Sequence, residues 1–166
     1  MTTVQHFKGE RMQARMKEHQ LTADQIVALL DKAPVGHLGT VDEKGFPYVT
    51  PVHFVHLDDS IYFHGLARGR KLSNLAACPK VCFEVAGEHS YIQAETPCDT
   101  NTAYQSVIIT GRAATVDAPD LKTRALDAIV AKYTPQHSGA SFPVNMLQMT
   151  AVVEITIIEI TGKYYA

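Results

Sequence analysis

The sequence predicts a mainly β fold, an antiparallel barrel with inserted helices. Three observations predict it: strand-like runs outnumber helical ones, short turns that suit hairpins separate the first of them, and helices interrupt the strands without alternating with them. At 166 residues, the chain fits one hydrophobic core, since such cores usually serve about 100–200 residues. No repeat, low-complexity tract or Pro/Gly-rich linker marks an internal boundary. Residues 1–21 therefore read as an N-terminal arm and residues 22–166 as a single domain.

The elements follow in chain order. Thr22 and Gln25 make a capping-box pattern, and Ile26, Val27, Leu29 and Leu30 recur at helical spacing until Pro34, which predicts a helix from Ala23 to Lys32. From Val35 the period changes. Val35–Val41, Phe46–Leu57 and Ser60–Gly65 are β-branched and aromatic-rich runs divided by Asp42-Glu43-Lys44-Gly45 and Asp58-Asp59, which predicts three strands joined by hairpins. A glycine-bearing hinge leads into Arg70–Ala77, where Leu72, Leu75 and Ala76 form a helical stripe. Lys80–Ala86, Tyr91–Ala94, Tyr104–Val116 and Ala151–Ile160 complete six or seven strands, with Val152, Ile155 and Ile157 as core candidates. Asp117 is the expected cap of a second long helix, with Pro119 near its first position and Leu121, Ala125, Ile129 and Tyr133 along its inner face.

Composition narrows the function. Hydrophobic residues at 46% and charged residues at 19% describe an ordinary globular chain. With 15 Lys and Arg against 17 Asp and Glu, no global positive field attracts nucleic acid or anionic lipid. The polar N-terminus lacks the apolar segment of a secretion signal. Ala151–Ile160 is broken by Glu154 and Glu159 and falls short of the roughly 20 residues that span a bilayer. Three cysteines, Cys78, Cys82 and Cys98, suit a reducing compartment and read as buried small apolar groups. A soluble cytoplasmic protein is expected, with neither nucleic acid nor membrane as partner.

No Ser-His-Asp order, zinc-ligand spacing, phosphate-binding loop or dinucleotide glycine fingerprint is present, so no catalytic side chain and no metal is assigned. Gly69-Arg70-Lys71 with Asn74 places two cations and an amide at a helix start, where free N–H groups and the helix dipole favour an anion such as a phosphate monoester. A solvated basic turn is the competing reading. If Asp58-Asp59 is a two-residue loop, counting pairs His53 with His64 across the hairpin. Those histidines then face a ligand, serve the structure, or ligate a metal or haem together. Pro47 and Pro51 remove backbone donors from the Pro47–Val52 run, so something other than strand pairing meets that edge, or the prolines protect an ordinary edge strand.

These segments together resemble a known family. Gly36-His37-Leu38-Gly39-Thr40-Val41, Gly45-Phe46-Pro47-Tyr48-Val49-Thr50-Pro51-Val52, Ile61-Tyr62-Phe63-His64, Gly69-Arg70-Lys71 with Asn74, and Val81-Cys82-Phe83-Glu84-Val85 are similar to the pyridoxamine-5′-phosphate-oxidase-like flavin-binding split barrels. The likeness is to the branch containing the 5-nitroimidazole-resistance (Nim) proteins, and it continues through Pro97-Cys98-Asp99, Tyr104-Gln105-Ser106-Val107-Ile108, Gly111-Arg112-Ala113 and Glu159-Ile160-Thr161-Gly162-Lys163. It implies an FMN-binding split barrel of antiparallel Greek-key type, working as a homodimer with flavin sites at the interface. Val49, Thr50, Pro51 and Val52 would line the isoalloxazine, Gly69, Arg70 and Lys71 would hold the phosphate, and His64 and Asn74 would support them. Tyr104 and Ser106 match a segment presented near the flavin from the other subunit. Thr100-Asn101-Thr102 stands where the branch carries an aromatic residue, and the arginine-rich substrate signature of the true pyridoxamine-phosphate oxidases is missing near the C-terminus. The implied function is a flavin-dependent, nitroreductase-like oxidoreductase, with NAD(P)H as transient electron donor and a nitroaromatic or quinone as small-molecule acceptor. The alternatives are a non-catalytic flavin- or haem-binding protein and a pyridoxamine 5′-phosphate oxidase-type enzyme.

Overall fold

A computed structural model describes residues 17–166, so most of the expected N-terminal arm lies outside the described residues. Helix α1 (Ala23–Lys32) starts as its residues dictate: Thr22 Oγ1 accepts from Gln25 N–H, while Gln25 Oε1 accepts from Thr22 N–H at 2.8 Å. Ile26, Leu29 and Leu30 are buried on its inner face, where they join the main core with Leu38, Phe54, Phe63 and Phe83. Ahead of it, Leu21 N–H donates to Gly162 C=O at 3.0 Å and Tyr164 N–H to His19 C=O at 2.9 Å.

Strands β1 (Gly36–Val41) and β2 (Pro47–Val52) pair antiparallel, as do β3 (Phe54–Leu57) and β4 (Ser60–Leu66). Helix α2 (Arg70–Ala77) and strands β5 (Lys80–Ala86), β6 (Ser90–Ile92) and β7 (Asn101–Thr115) follow. Then come α3 (Pro119–Tyr133), a 3₁₀ turn (Pro135–His137), α4 (Val144–Met149) and β8 (Thr150–Tyr165). The sheet runs β2-β1-β5-β7-β8-β4-β3, with β6 paired to β7, giving eight strands among the described residues. Its two terminal strands, β2 and β3, are neighbours in the chain, so the sheet curls until its ends meet at His53. Helix α3 packs outside this barrel, burying Ala125, Leu126 and Ile129 against Val55, Tyr62 and Val152. None of the described helices is long and apolar enough to cross a membrane.

Several expectations are corrected. The predicted Phe46–Leu57 strand is two strands, because the chain leaves the β1 ladder at Val52 and joins β4 at Phe54. Tyr133 makes this break tolerable: its hydroxyl accepts from Phe54 N–H at 2.9 Å and donates to Phe54 C=O at 3.0 Å. The cap of α3 is Ala118, held extended ahead of Pro119, and Asp117 stands one residue too early to serve. Ala76 is exposed, and the inner side of α2 carries Leu72, Asn74 and Leu75 instead. Cys82 and Cys98 are exposed and Cys78 is half-buried. Strand alternation turns Cys82 outward between the buried Val81 and Phe83. The short strand predicted at Tyr91–Ala94 is Ser90–Ile92, and the C-terminal strand continues to Tyr165.

Candidate flavin site

Backbone parity prepares the edge of β2. Asp42 N–H donates to Phe46 C=O at 3.0 Å, and bonded pairs alternate along an antiparallel ladder. The bonds to β1 therefore fall at Tyr48, Thr50 and Val52, while Pro47, Val49 and Pro51 turn their backbone groups to the open side. As β2 is a terminal strand, that side offers three carbonyls and one donor, the Val49 N–H. The prolines thus cost the β1 ladder nothing. Val49 is 63% exposed there, and Val52 is buried in the core.

Helix α2 is fixed beneath this edge by a buried polar relay. Asn74 Nδ2 donates to Thr40 Oγ1 at 2.9 Å, and that hydroxyl donates to Tyr48 C=O at 3.2 Å. Asn74 is 4% exposed, so its amide is committed to β1 rather than turned towards solvent. Gly69 precedes the helix at φ 141°, a conformation that favours glycine. Lys71 then lies over the end of β4: a Cβ on Gly65 would stand 3.2 Å from its Nζ. Arg70 turns elsewhere, 3.6 Å from Asp42 and 4.5 Å from the Tyr48 ring centroid.

Val35, Pro51, Val52, His53, His64 and Lys71 enclose a cleft of about 340 Å³. The register Phe54↔Phe63 is the one that counting across Asp58-Asp59 predicts, and one further step brings His53 opposite His64. Asp58 carries the turn at φ 53°. His53 stacks on Tyr133 at 4.4 Å between centroids. Although His64 is exposed on one side, desolvation by the cleft walls, then the neighbouring His53 and Lys71, hold its pKa below 6.5. The neutral ring is therefore favoured as a hydrogen-bonding group.

Of the residues singled out in the sequence, Pro51, Val52, His64 and Lys71 meet in this cleft. Val49 and Thr50 continue its β2 edge, while Gly69 and Asn74 position Lys71. Tyr104 and Ser106 do not join them within one chain. Tyr104 pairs with Tyr165 and Ser106 with Lys163, whereas His64 pairs with Val152 at the opposite end of β8. Lys163 Nζ stands 5.6 Å from the Tyr104 ring centroid, and Ser106 Oγ is buried without a hydrogen-bond partner. Sequence reading missed Tyr133, whose helical spacing marks it only as a core residue. Among the described residues no group of three or more His, Cys, Asp or Glu side chains gathers to hold a metal.

The pyridoxamine 5′-phosphate oxidase family model matches residues 22–164. The chain belongs to that family. Among solved members of the fold, the flavocytochrome Anf3 from Azotobacter vinelandii is 26% identical, covering 87% of this chain and 68% of that one at a TM-score of 0.77. An FAD and haem binding protein from Mycobacterium smegmatis is 21% identical, covering 88% and 73% at a TM-score of 0.80. A candidate 5-nitroimidazole antibiotic resistance protein from Bacteroides thetaiotaomicron is 23% identical, covering 87% and 86% at a TM-score of 0.76. No curated protein matches this chain.

Proposed function

We propose that the protein binds FMN in the cleft between β2, β4 and α2 and serves as a cytoplasmic NAD(P)H-dependent reductase of small nitroaromatic or quinone acceptors. The observation that carries this reading is the union of an open β2 edge with the Lys71 ammonium at the start of α2, both bordering one cleft. A planar heterocycle with a phosphate tail needs these two things, backbone groups along its rim and a cation at its end. Flavin binding is supported by the family and by its likeness to the Azotobacter flavocytochrome and the mycobacterial FAD and haem binding protein.

When bound, a flavin supplies the redox chemistry, taking a hydride from reduced nicotinamide and passing two electrons to the acceptor. The chain's own residues hold and orient. Val49 N–H and the carbonyls of Pro47, Val49 and Pro51 face the ring edge, Gly69, Arg70 and Lys71 hold the phosphate, and His64 offers a neutral imidazole at the cleft wall. Arg70 reaches the phosphate by leaving Asp42, a pair open to solvent on the arginine side and of the kind worth about 1 kcal/mol. Tyr104 and Ser106 lie at the far end of β7, so they reach a flavin only from a second subunit; a homodimer follows, and sedimentation should return twice the chain mass.

Anaerobic mixing of the purified protein with NADH or NADPH tests the redox role. The flavin absorbance should bleach with one of them and return when nitrobenzoate or benzoquinone is added; a flavin that stays oxidised with both donors would overturn the reductase reading. The pairing of His53 with His64 in one cleft favours a second reading, a haem or flavin carrier without turnover. In that case haem titration gives a Soret band that His64→Ala abolishes.

A further inference from the structure

A second cleft of about 180 Å³ is lined by His64 together with residues of α3 and α4. Leu126 and Ile129 of α3 form its floor, and Phe142, Met146 and Leu147 its walls. His64 borders both clefts. Among the described residues that line it, none carries a full charge, and its polar groups are His64 and Thr150. The roof is tethered: Lys122 Nζ donates to the Leu147 carbonyl at 2.6 Å, tying α4 down to α3. Leu66, which pairs with Thr150, and Val144 and Met149 stand exposed nearby at 75%, 70% and 55%.

We propose that this cleft binds a small uncharged aromatic compound of about one ring, the class to which the reading above assigns the electron acceptor. The size agrees, since an apolar cavity of about 150 Å³ accommodates benzene. The lining agrees too, because a methionine thioether and a phenyl ring both favour contact with an aromatic face. Charge does not suit the cleft: a charged ligand would lose its hydration with no opposite charge among the lining residues to replace it. One polar substituent is provided for, as the His64 imidazole N–H can donate a hydrogen bond to a nitro or carbonyl oxygen. An occupant here would share His64 as a wall with the Lys71 cleft. As the acceptor's site this cleft rests on the reductase reading; as a ring-binding cavity it stands on its own.

Nitrobenzene titrated into the full-length protein labelled with ¹³C at the methionine, leucine and isoleucine methyls provides the test. The Met146 methyl signal should shift saturably, and intermolecular contacts should join the nitrobenzene protons to the Leu126 and Ile129 methyls. Leu147→Trp fills the cleft and should weaken the titration at least tenfold while flavin content stays at the wild-type level. An unmoved Met146 signal up to the solubility limit of nitrobenzene, missing contacts to Leu126 and Ile129, or equal affinity in Leu147→Trp would overturn the proposal. The wild-type contacts decide the matter even if Leu147→Trp does not fold. Flavin content read in the same samples separates the two ideas: ring binding without flavin contradicts the reductase reading alone, and flavin without ring binding contradicts the second cleft alone.

Discussion

Arg70 and Lys71 are adjacent in the sequence and separated in their work. Consecutive helical residues point about 100° apart, which sends Lys71 into the cleft and Arg70 to Asp42 and Tyr48. The sequence shows that two cations stand at a helix start, and hides which one turns inward. His53 and His64 were legible as neighbours, because a two-residue turn fixes the count. Tyr133 was not, because its partner Phe54 is 79 positions away in the chain. Tyr133→Phe should destabilise the fold by about 1–3 kcal/mol, the cost of leaving a buried polar group unpaired, as read from denaturant unfolding; an unchanged midpoint would contradict the role given to its hydroxyl. Burial depresses the pKa of His56 against the pull of Asp31, and burial followed by His53 and Lys71 depresses that of His64. With native values below 6.5, the unfolded chain takes up these protons first as pH falls. Their contribution to stability is thus complete above that pH and lost on the acid side. Unfolding midpoints measured on either side should drop with acid, the drop should shrink in His64→Gln, and a flat profile would count against the desolvation of these imidazoles.

At the scale of elements, hairpins and caps were legible wherever the signal is local. The Thr22–Gln25 box and the Asp58-Asp59 turn each lie within a few residues. The handover from β2 to β3 at His53 was not, since no turn residue marks it and the new partner strand decides it. Asp117 misled because Pro119 fixes the helix start one residue later, and the cysteines misled because residue type says nothing about which face of a strand they occupy. Gly36 shows what a pattern cannot reveal: a Cβ there would stand 2.1 Å from Cζ of Phe83, which is fully buried. Gly36→Ala should therefore cost about 1–3 kcal/mol by overpacking, seen as a lower thermal midpoint, whereas Gly45→Ala meets no atom within 4 Å and pays only for its φ of 83°. Equal loss in both variants would show that the Phe83 contact is not what fixes glycine at position 36.

For the whole molecule, curling the sheet until its ends meet at His53 brings a proline-bearing edge, two histidines and a helix start into one place. Nothing local in the sequence encodes that meeting. The same closure leaves Tyr104 and Ser106 at the far end of the β7–β8 ladder, so their part waits on a second subunit. The most direct measurement compares FMN with riboflavin, which lacks only the phosphate, by titration against wild type and the double variant Arg70→Ala/Lys71→Ala. A charge-assisted phosphate contact is worth about 1.5–3 kcal/mol, so wild type should prefer FMN at least tenfold and the double variant should bind the two almost alike. Equal affinities in the wild type, or a preference that survives the loss of both cations, would contradict the placement of the phosphate and of the cleft built around it.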